Sequence, residues 1–297
     1  MAFDPKVFAT RAKTAVVYAV VMLTGLLWNE WSFCMLFSIV HAGAWKEYLQ
    51  LASKIHDGFS AKSWWMKFHF PLLGWGAMMM STSHNMQLGG MALASIGEWV
   101  IRISLILILM HIVFEKKFRQ SEFLPMLKGF VYISVSLLSL INLRSGWIWN
   151  ADESQSKLAA VLSTFSGHMI TLLIVFGIWI NDTMAYLLGS FIGKNPLSKW
   201  SPKKTWEGTI GGIVLSVGLI NLFAALKWNL SYDMLIISLA VAIAGTLGDL
   251  YESRLKRLAG VKDSGNIMPG HGGFLDRFDS ILIASPVVWV LCYLLYR

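Results

Sequence analysis

Apolar residues in this chain come in runs too long for ordinary soluble elements. Short stretches between the runs hold nearly all the charge. Nine runs, near 12–28, 32–49, 67–83, 92–114, 123–142, 159–189, 208–228, 232–251 and 280–296, reach or approach the length of a bilayer span. Crossing a hydrocarbon core of roughly 30 Å takes about 20 helical residues. The pattern predicts an all-α integral membrane protein of about nine transmembrane helices. The sixth run is the longest and turns polar over 180–189, before it stops; the third and ninth are short. The first follows Lys6, Arg11 and Lys13 but precedes no small-residue cleavage motif, so it reads as a retained span.

Composition agrees with burial in lipid. Only 14% of the 297 residues are charged, against about 25% in a soluble domain. Cys34 and Cys292 both fall inside apolar runs and read as small core residues, not as a disulfide or metal pair.

The net charge of +8 is unevenly placed. Most of the basic residues fall in the N-terminal segment and in the loops after even-numbered spans. The positive-inside tendency then puts the N-terminus in the cytoplasm and the C-terminus outside. With cations spread over five short loops and no basic domain, nucleic-acid binding is excluded as a reading. The chain shows no tandem repeat or long linker. By role it divides into residues 1–158, for packing and lipid access, and 159–297, a catalytic half with its site on the cytoplasmic face.

Chemistry gathers in three places in that second half. Asp182, with Thr183 and Tyr186, lies at the polar end of the sixth span, where an unpaired charge costs several kcal/mol; an interfacial, solvated aspartate is the plainer reading. Next, Ser201, Lys203, Lys204 and Thr205 precede a helix that should begin near Glu207. Free N–H groups and the helix dipole favour phosphate there, although positive-inside topology would also explain the lysines. Gly208, Gly211 and Gly212 are better explained by close helix packing than by a ligand.

The third place is 249–279. If the helix of the eighth span continues, Asp249, Glu252, Ser253 and Lys256 share one face. Arg257, Lys262 and Asp263 follow, then Gly272 and Gly273, and Asp276, Arg277 and Asp279 open the last span. Oxygen donors without cysteines point to a hard cation, most simply Mg2+. His271, between glycines, is a candidate catalytic residue, an ordinary loop histidine being the alternative. On the fourth span, Glu98 and Arg102 stand four apart and are expected to pair with each other.

The block Ser253-x-Leu-Lys-Arg-x4-Lys262-Asp263-x-Gly265-x2-Met268-Pro-Gly-His-Gly-Gly-Phe-x-Asp276-Arg-Phe-Asp279 resembles the signature of the CDP-diacylglycerol synthases (phosphatidate cytidylyltransferases). Ser201-Pro-Lys-Lys-Thr-Trp-Glu-Gly208 and Asp182-Thr-Met-Ala-Tyr186 are similar to that family's upstream motifs, in the same order. Asn181 stands where the family usually has Gly or Ala. The resemblance covers about residues 180–280.

It implies transfer of a cytidylyl group from CTP to phosphatidate, dependent on Mg2+, with a second cation left open. Asp249 and Asp276 would be the principal metal ligands, with Asp182 and Asp279 supporting them. Lys203, Lys204, Lys256, Arg257 and Arg277 would hold phosphates, and Ser201, Thr205, Ser253, Lys262, Asp263, Gly272 and Gly273 would line the substrate site. Implied partners are CTP, phosphatidate and membrane lipid, with a homodimer admitted but not required. The implied location is a bacterial inner membrane. An ion-coupled transporter of an anionic solute, or a CTP- or ATP-dependent lipid kinase, would also use acids, cations and broken helices. The crowding of charge on one membrane face argues against the transporter.

Overall fold

The computed structural model describes residues 5–56, 59, 64–83, 85–114, 120–145, 167–227, 232–267 and 272–296. It is 83% helix. The helices are α1 (Pro5–Leu27), α2 (Glu30–Ile55), α3 (Trp64–Met80), α4 (Leu93–Phe114), α5 (Gln120–Gly129), α6 (Ser136–Ser145), α7 (Gly167–Ile192), α8 (Trp206–Lys227), α9 (Tyr232–Leu258) and α10 (Leu275–Tyr296). A π-helical turn, Phe130–Val135, joins α5 to α6, and a two-residue hairpin, Gln87–Leu88 with Met91–Ala92, precedes α4.

Among the described residues, each of the nine expected spans falls at least largely on helix, and residues 159–166 of the sixth lie outside the described residues. Six described helices are long and apolar enough to cross a bilayer: Leu93–Phe114, Glu122–Ser145, Gly167–Ile192, Trp206–Leu226, Tyr232–Leu258 and Leu275–Leu295. The last of these is full length, although its sequence looked short. The first three expected spans fall below that standard for separate reasons. The apolar part of α1 is only Thr14–Leu27, α2 carries Glu30, Lys46, Glu47 and Lys54, and α3 has 17 residues and an internal proline.

The chain forms two compact units, Met1–Val135 with Leu258–Phe278, and Ser136–Arg257 with Asp279–Arg297. In the first unit, Asn29 separates α1 from α2 through a capping box: its side chain accepts from Ser32 N (2.8 Å) and Ser32 Oγ faces its own N–H (3.1 Å). The core is aromatic and sulfur-rich, built on Trp45, Phe33, Phe37, Met22, Met78 and Met79. Cys34 is free and buried there against Met79 Sδ at 3.6 Å. Trp45 Nε1 donates to Ser134 Oγ at 2.9 Å, and Tyr48 OH to the Pro125 carbonyl at 2.7 Å just before the π turn. Helices α3 and α4 meet at Gly76 and Gly97, where added methyl groups would strike the facing backbone.

Glu98 and Arg102 do pair, at 2.5 Å, on an exposed face of α4. An exposed i,i+4 pair contributes about 0.3–0.5 kcal/mol in water. Glu98→Gln with Arg102→Gln is therefore expected to keep more than half of the wild-type activity, measured on purified, folded protein. Near-complete loss would place α4 at the reaction site.

The second unit is joined by small residues and polar pairs. Ala185 and Gly189 of α7 face Gly208 and Gly212 of α8 so closely that a methyl group on either α8 glycine would overlap α7. Close packing is thus what these glycines do. Asn221 Nδ2 of α8 donates to Ser238 Oγ of α9 (2.9 Å), and Trp289 Nε1 of α10 to Asn142 Oδ1 of α6 (2.9 Å). Cys292 is free and buried on α10.

Candidate functional site

The signature segment belongs mostly to the first unit. Helix α9 ends at Leu258, and Gly260 takes the left-handed conformation (φ 68°) that turns the chain away. The loop then folds around the Asp276 carboxylate. Asp276 Oδ2 accepts from Ser264 N (2.8 Å), Ser264 Oγ (2.9 Å) and Gly273 N (2.8 Å). Gly272 is also left-handed (φ 78°), and a methyl group there would press on that same carboxylate.

A second acid, from α2, holds the loop at another point. Glu47 is buried, 5% exposed. Its carboxylate accepts from Ser264 Oγ (2.7 Å), Phe274 N (2.9 Å) and Leu275 N (2.9 Å), two of the free amides at the start of α10. Gly265 and Gly273 press directly on it, and Gly43, one turn earlier on α2, makes room for the Phe274 ring. Sequence reasoning missed Glu47 and Ser264. A carboxylate inside an apolar run is the signal that marks Glu47; it was passed over because Lys46 beside it fitted topology. Ser264 carries no such signal.

The second unit carries a different ionic group. Lys204 Nζ lies 2.7 Å from Asp249 Oδ2, both side chains about one-third exposed or less. Burial alone would lower the Lys204 pKa. Asp249, Asp182 and Asp279 outweigh that and hold it above the ordinary lysine value. Asp279 is 7% exposed, and its Oδ1 accepts from Ser280 N at 2.7 Å. Gly248 lets α9 come against the backbone of Asp279 and Ser280. Asn181, beside Asp182, is buried and donates to Thr246 Oγ1 of α9 at 3.3 Å. An amide at this position thus ties α7 to α9.

The loop that carries Lys204 is itself well built. Pro196 and Thr205 pair as an isolated antiparallel bridge, with Leu197 N donating to Lys204 O (2.7 Å) and Trp206 N to Asn195 O (2.9 Å). Glu207 accepts from the amides of Lys194 (3.1 Å) and Asn195 (3.2 Å) and from Asn195 Nδ2 (2.6 Å). Thr205 Oγ1 accepts from Gly208 N at 3.2 Å and so caps α8. The rest of the expected set is scattered. Glu252 is fully buried and pairs with Lys256 at 2.6 Å. Ser201 and Ser253 are half-buried, while Lys203, Arg257, Lys262, Asp263 and Arg277 are exposed. His271 lies outside the described residues.

The carboxylates suit a hard cation such as Mg2+ in kind. Among the described residues, however, no three His, Cys, Asp or Glu side chains come together in a way that would hold a metal ion. The cation seen beside Asp249 is Lys204.

Six bilayer-length apolar helices among the described residues define a multi-pass membrane protein, and a lysine is held among carboxylates in its second unit. The chain belongs to the cytidylyltransferase family, whose family model matches residues 9–295. It is similar to curated proteins named phosphatidate cytidylyltransferase. The one from Staphylococcus haemolyticus (strain JCSC1435) is 47% identical over 120 residues, 38% of this chain and 45% of that protein. The Bacillus subtilis (strain 168) protein is 49% identical over 118 residues, 38% of this chain and 44% of that protein. The Aquifex aeolicus (strain VF5) protein is 36% identical over 174 residues, 54% of this chain and 65% of that protein. Each match therefore spans less than two thirds of the relative's length.

Proposed function

We propose that this protein is a phosphatidate cytidylyltransferase, converting CTP and phosphatidate into CDP-diacylglycerol and pyrophosphate. What carries the reading is the family match over residues 9–295 in a chain whose relatives bear that name. The Lys204 group is the geometry that suits it best. A phosphatidate oxygen attacks the α-phosphorus of CTP, the bond from that phosphorus to the β-phosphate bridge breaks, and pyrophosphate leaves. The attacking phosphate is already ionised near pH 7, so no general base is needed. Such transfers depend on positioning and on neutralising charge over the phosphates.

Lys204 supplies a fixed positive charge, and its loop keeps that charge in place before substrate arrives. Lys203, Arg257 and Arg277, all exposed, are assigned to phosphate contacts, and Lys256 is assigned there alongside its pairing with Glu252. Asp249 and Asp276 would be the principal holders of Mg2+, with Asp182 and Asp279 supporting; the ion would offset charge on the triphosphate. The nine-span arrangement, with the N-terminus and the site on the cytoplasmic side of a bacterial inner membrane, is part of the proposal. It rests on the distribution of lysine and arginine. Residues 1–158 are assigned to packing and lipid access and 159–297 to catalysis, with Glu47, from the first half, holding the signature loop.

The test uses purified protein in detergent with phosphatidate, Mg2+ and CTP radiolabelled at the α-phosphate, with Asp249→Asn in parallel. Label is expected in the lipid phase for the wild type, and only when Mg2+ is present. The variant is expected to lose at least a hundredfold, the scale of removing one group that stabilises developing charge. Label that stays aqueous with folded protein would refute the synthase and turn attention to transport.

A further inference from the structure

Beside the signature loop, wholly within the first unit, lies a cavity of about 200 Å3 with an apolar wall. Val21 and Met22 of α1 and Ile39 and Val40 of α2 line it, together with Gly273 and Arg277 at the start of α10. Met22 and Val40 are each 1% exposed and form its depth; Val21 (49%) and Ile39 (50%) stand at its mouth. That mouth continues into the exposed apolar face of α1, Val16, Val17 and Val20. In a membrane protein such a face meets hydrocarbon.

We propose that this cavity receives an acyl chain of the lipid substrate, entering from the hydrocarbon between α1 and α2. The inference rests on the reading of the protein as a phosphatidate cytidylyltransferase. Three observations select this occupant. The wall offers no polar surface, which excludes the nucleotide. The volume is below the roughly 300–1,000 Å3 of sites that enclose a whole drug-sized ligand, so it suits one stretch of chain and not an entire lipid. Finally, Arg277 is exposed yet contributes to the wall. A surface arginine of this kind can lay its methylene stem along an apolar slot and keep its guanidinium in a polar setting. An apolar slot with a cation at its rim matches an anionic amphiphile: chain inside, phosphate at the arginine. Glu47 and Asp276, which hold the loop from within, fix where that rim stands.

The experiment fills the mouth with Val21→Trp and Ile39→Trp together, both at half-exposed positions where a larger side chain need not disturb the core. Activity is measured with dioleoyl phosphatidate in detergent mixed micelles. The KM for the lipid is expected to rise about tenfold, as losing roughly two buried methylenes predicts. The KM for CTP and kcat at saturating lipid should stay within twofold. Tryptophans at Ile103 and Ile106 of α4, exposed apolar positions that do not line the cavity, should change none of the three. An unchanged lipid KM in the folded mouth variant would overturn the proposal. So would a fall in kcat, or a rise in CTP KM, as large as the lipid effect. Should the wild type form no CDP-lipid, the enzymatic reading fails instead. The cavity is then read by photo-crosslinking with phosphatidate carrying a diazirine at its chain end. Adducts at Val21, Ile39 or Phe278 would support chain capture, and adducts confined to other helices would overturn it.

Discussion

Lys204→Ala is expected to lower kcat/KM for CDP-diacylglycerol formation by about a hundred- to a thousandfold while the protein stays folded. The magnitude is that of removing one preorganised group aimed at developing charge. Folding should survive because nothing that shapes the 193–205 loop uses the ammonium. The loop is closed by the Pro196–Thr205 bridge, the Glu207 contacts to Lys194 and Asn195, and the Thr205 cap. What the variant loses is the charge opposite Asp249, Asp182 and Asp279. They outweigh the burial that would lower it and hold the Lys204 pKa above the ordinary lysine value, so it stays an ammonium below that value. A loss of wild-type activity between pH 7 and 10 would therefore have to come from another group.

Lys204→Arg should rescue only part of the activity, since a planar fork does not replace a compact ammonium in a space shared by several carboxylates. A double variant, Lys204→Met with Asp249→Asn, removes the charge imbalance. It is expected to recover thermal stability lost by Lys204→Ala but none of the activity. That separation shows whether the pair serves catalysis or only cohesion. Activity within threefold of wild type in Lys204→Ala would remove this group from the mechanism.

Helix content, the helical register across 249–256 and the Glu98–Arg102 pair were legible because they depend on local periodicity alone. The packing glycines of α8 were legible for a similar reason: spacing of four puts Gly208 and Gly212 on one side of a helix, although their partners on α7 could not be read. Burial of Cys34 and Cys292 followed from their apolar neighbours. The acids and Lys204 could be singled out as costly in an apolar setting, but their partners could not be read from spacing. Lys204 and Asp249 are 45 positions apart, and only the fold brings them to 2.7 Å. Exposure was equally hidden: Lys262 and Asp263 are exposed, whereas Ser264, beside them, is buried and bonds to two carboxylates. Alternation of that kind in an irregular loop has no period to reveal it. At the N-terminal end the expected spans fall short of bilayer-length apolar helices, and α2 mixes an apolar face with Lys46 and Glu47. Those charges looked like the edge of a span; one of them is a buried anchor.

Glu47→Ala should therefore have an effect out of proportion to its distance in sequence from the signature. Its carboxylate satisfies Ser264 Oγ and the amides of Phe274 and Leu275. Truncation leaves the Phe274 and Leu275 amides without an acceptor, at about 1–3 kcal/mol each, while Ser264 Oγ keeps Asp276 Oδ2 at 2.9 Å. Water entering the vacated space would offset part of that, so a loss of roughly 2–4 kcal/mol is expected. Glu47→Gln should restore little. An amide offers one accepting oxygen where the carboxylate uses both, and its NH2 would face another donor.

Glu47 is a positioning residue, and its test needs a readout beyond activity. Hydrogen exchange at the Phe274 and Leu275 amides should accelerate in Glu47→Ala by more than tenfold, with α7 and α8 amides unchanged. Activity should fall by at least a hundredfold, through the loosened loop and the displaced Asp276 and Arg277. If the two amides stay protected and activity persists, the loop is held by Asp276 alone and the part played by α2 reduces to packing.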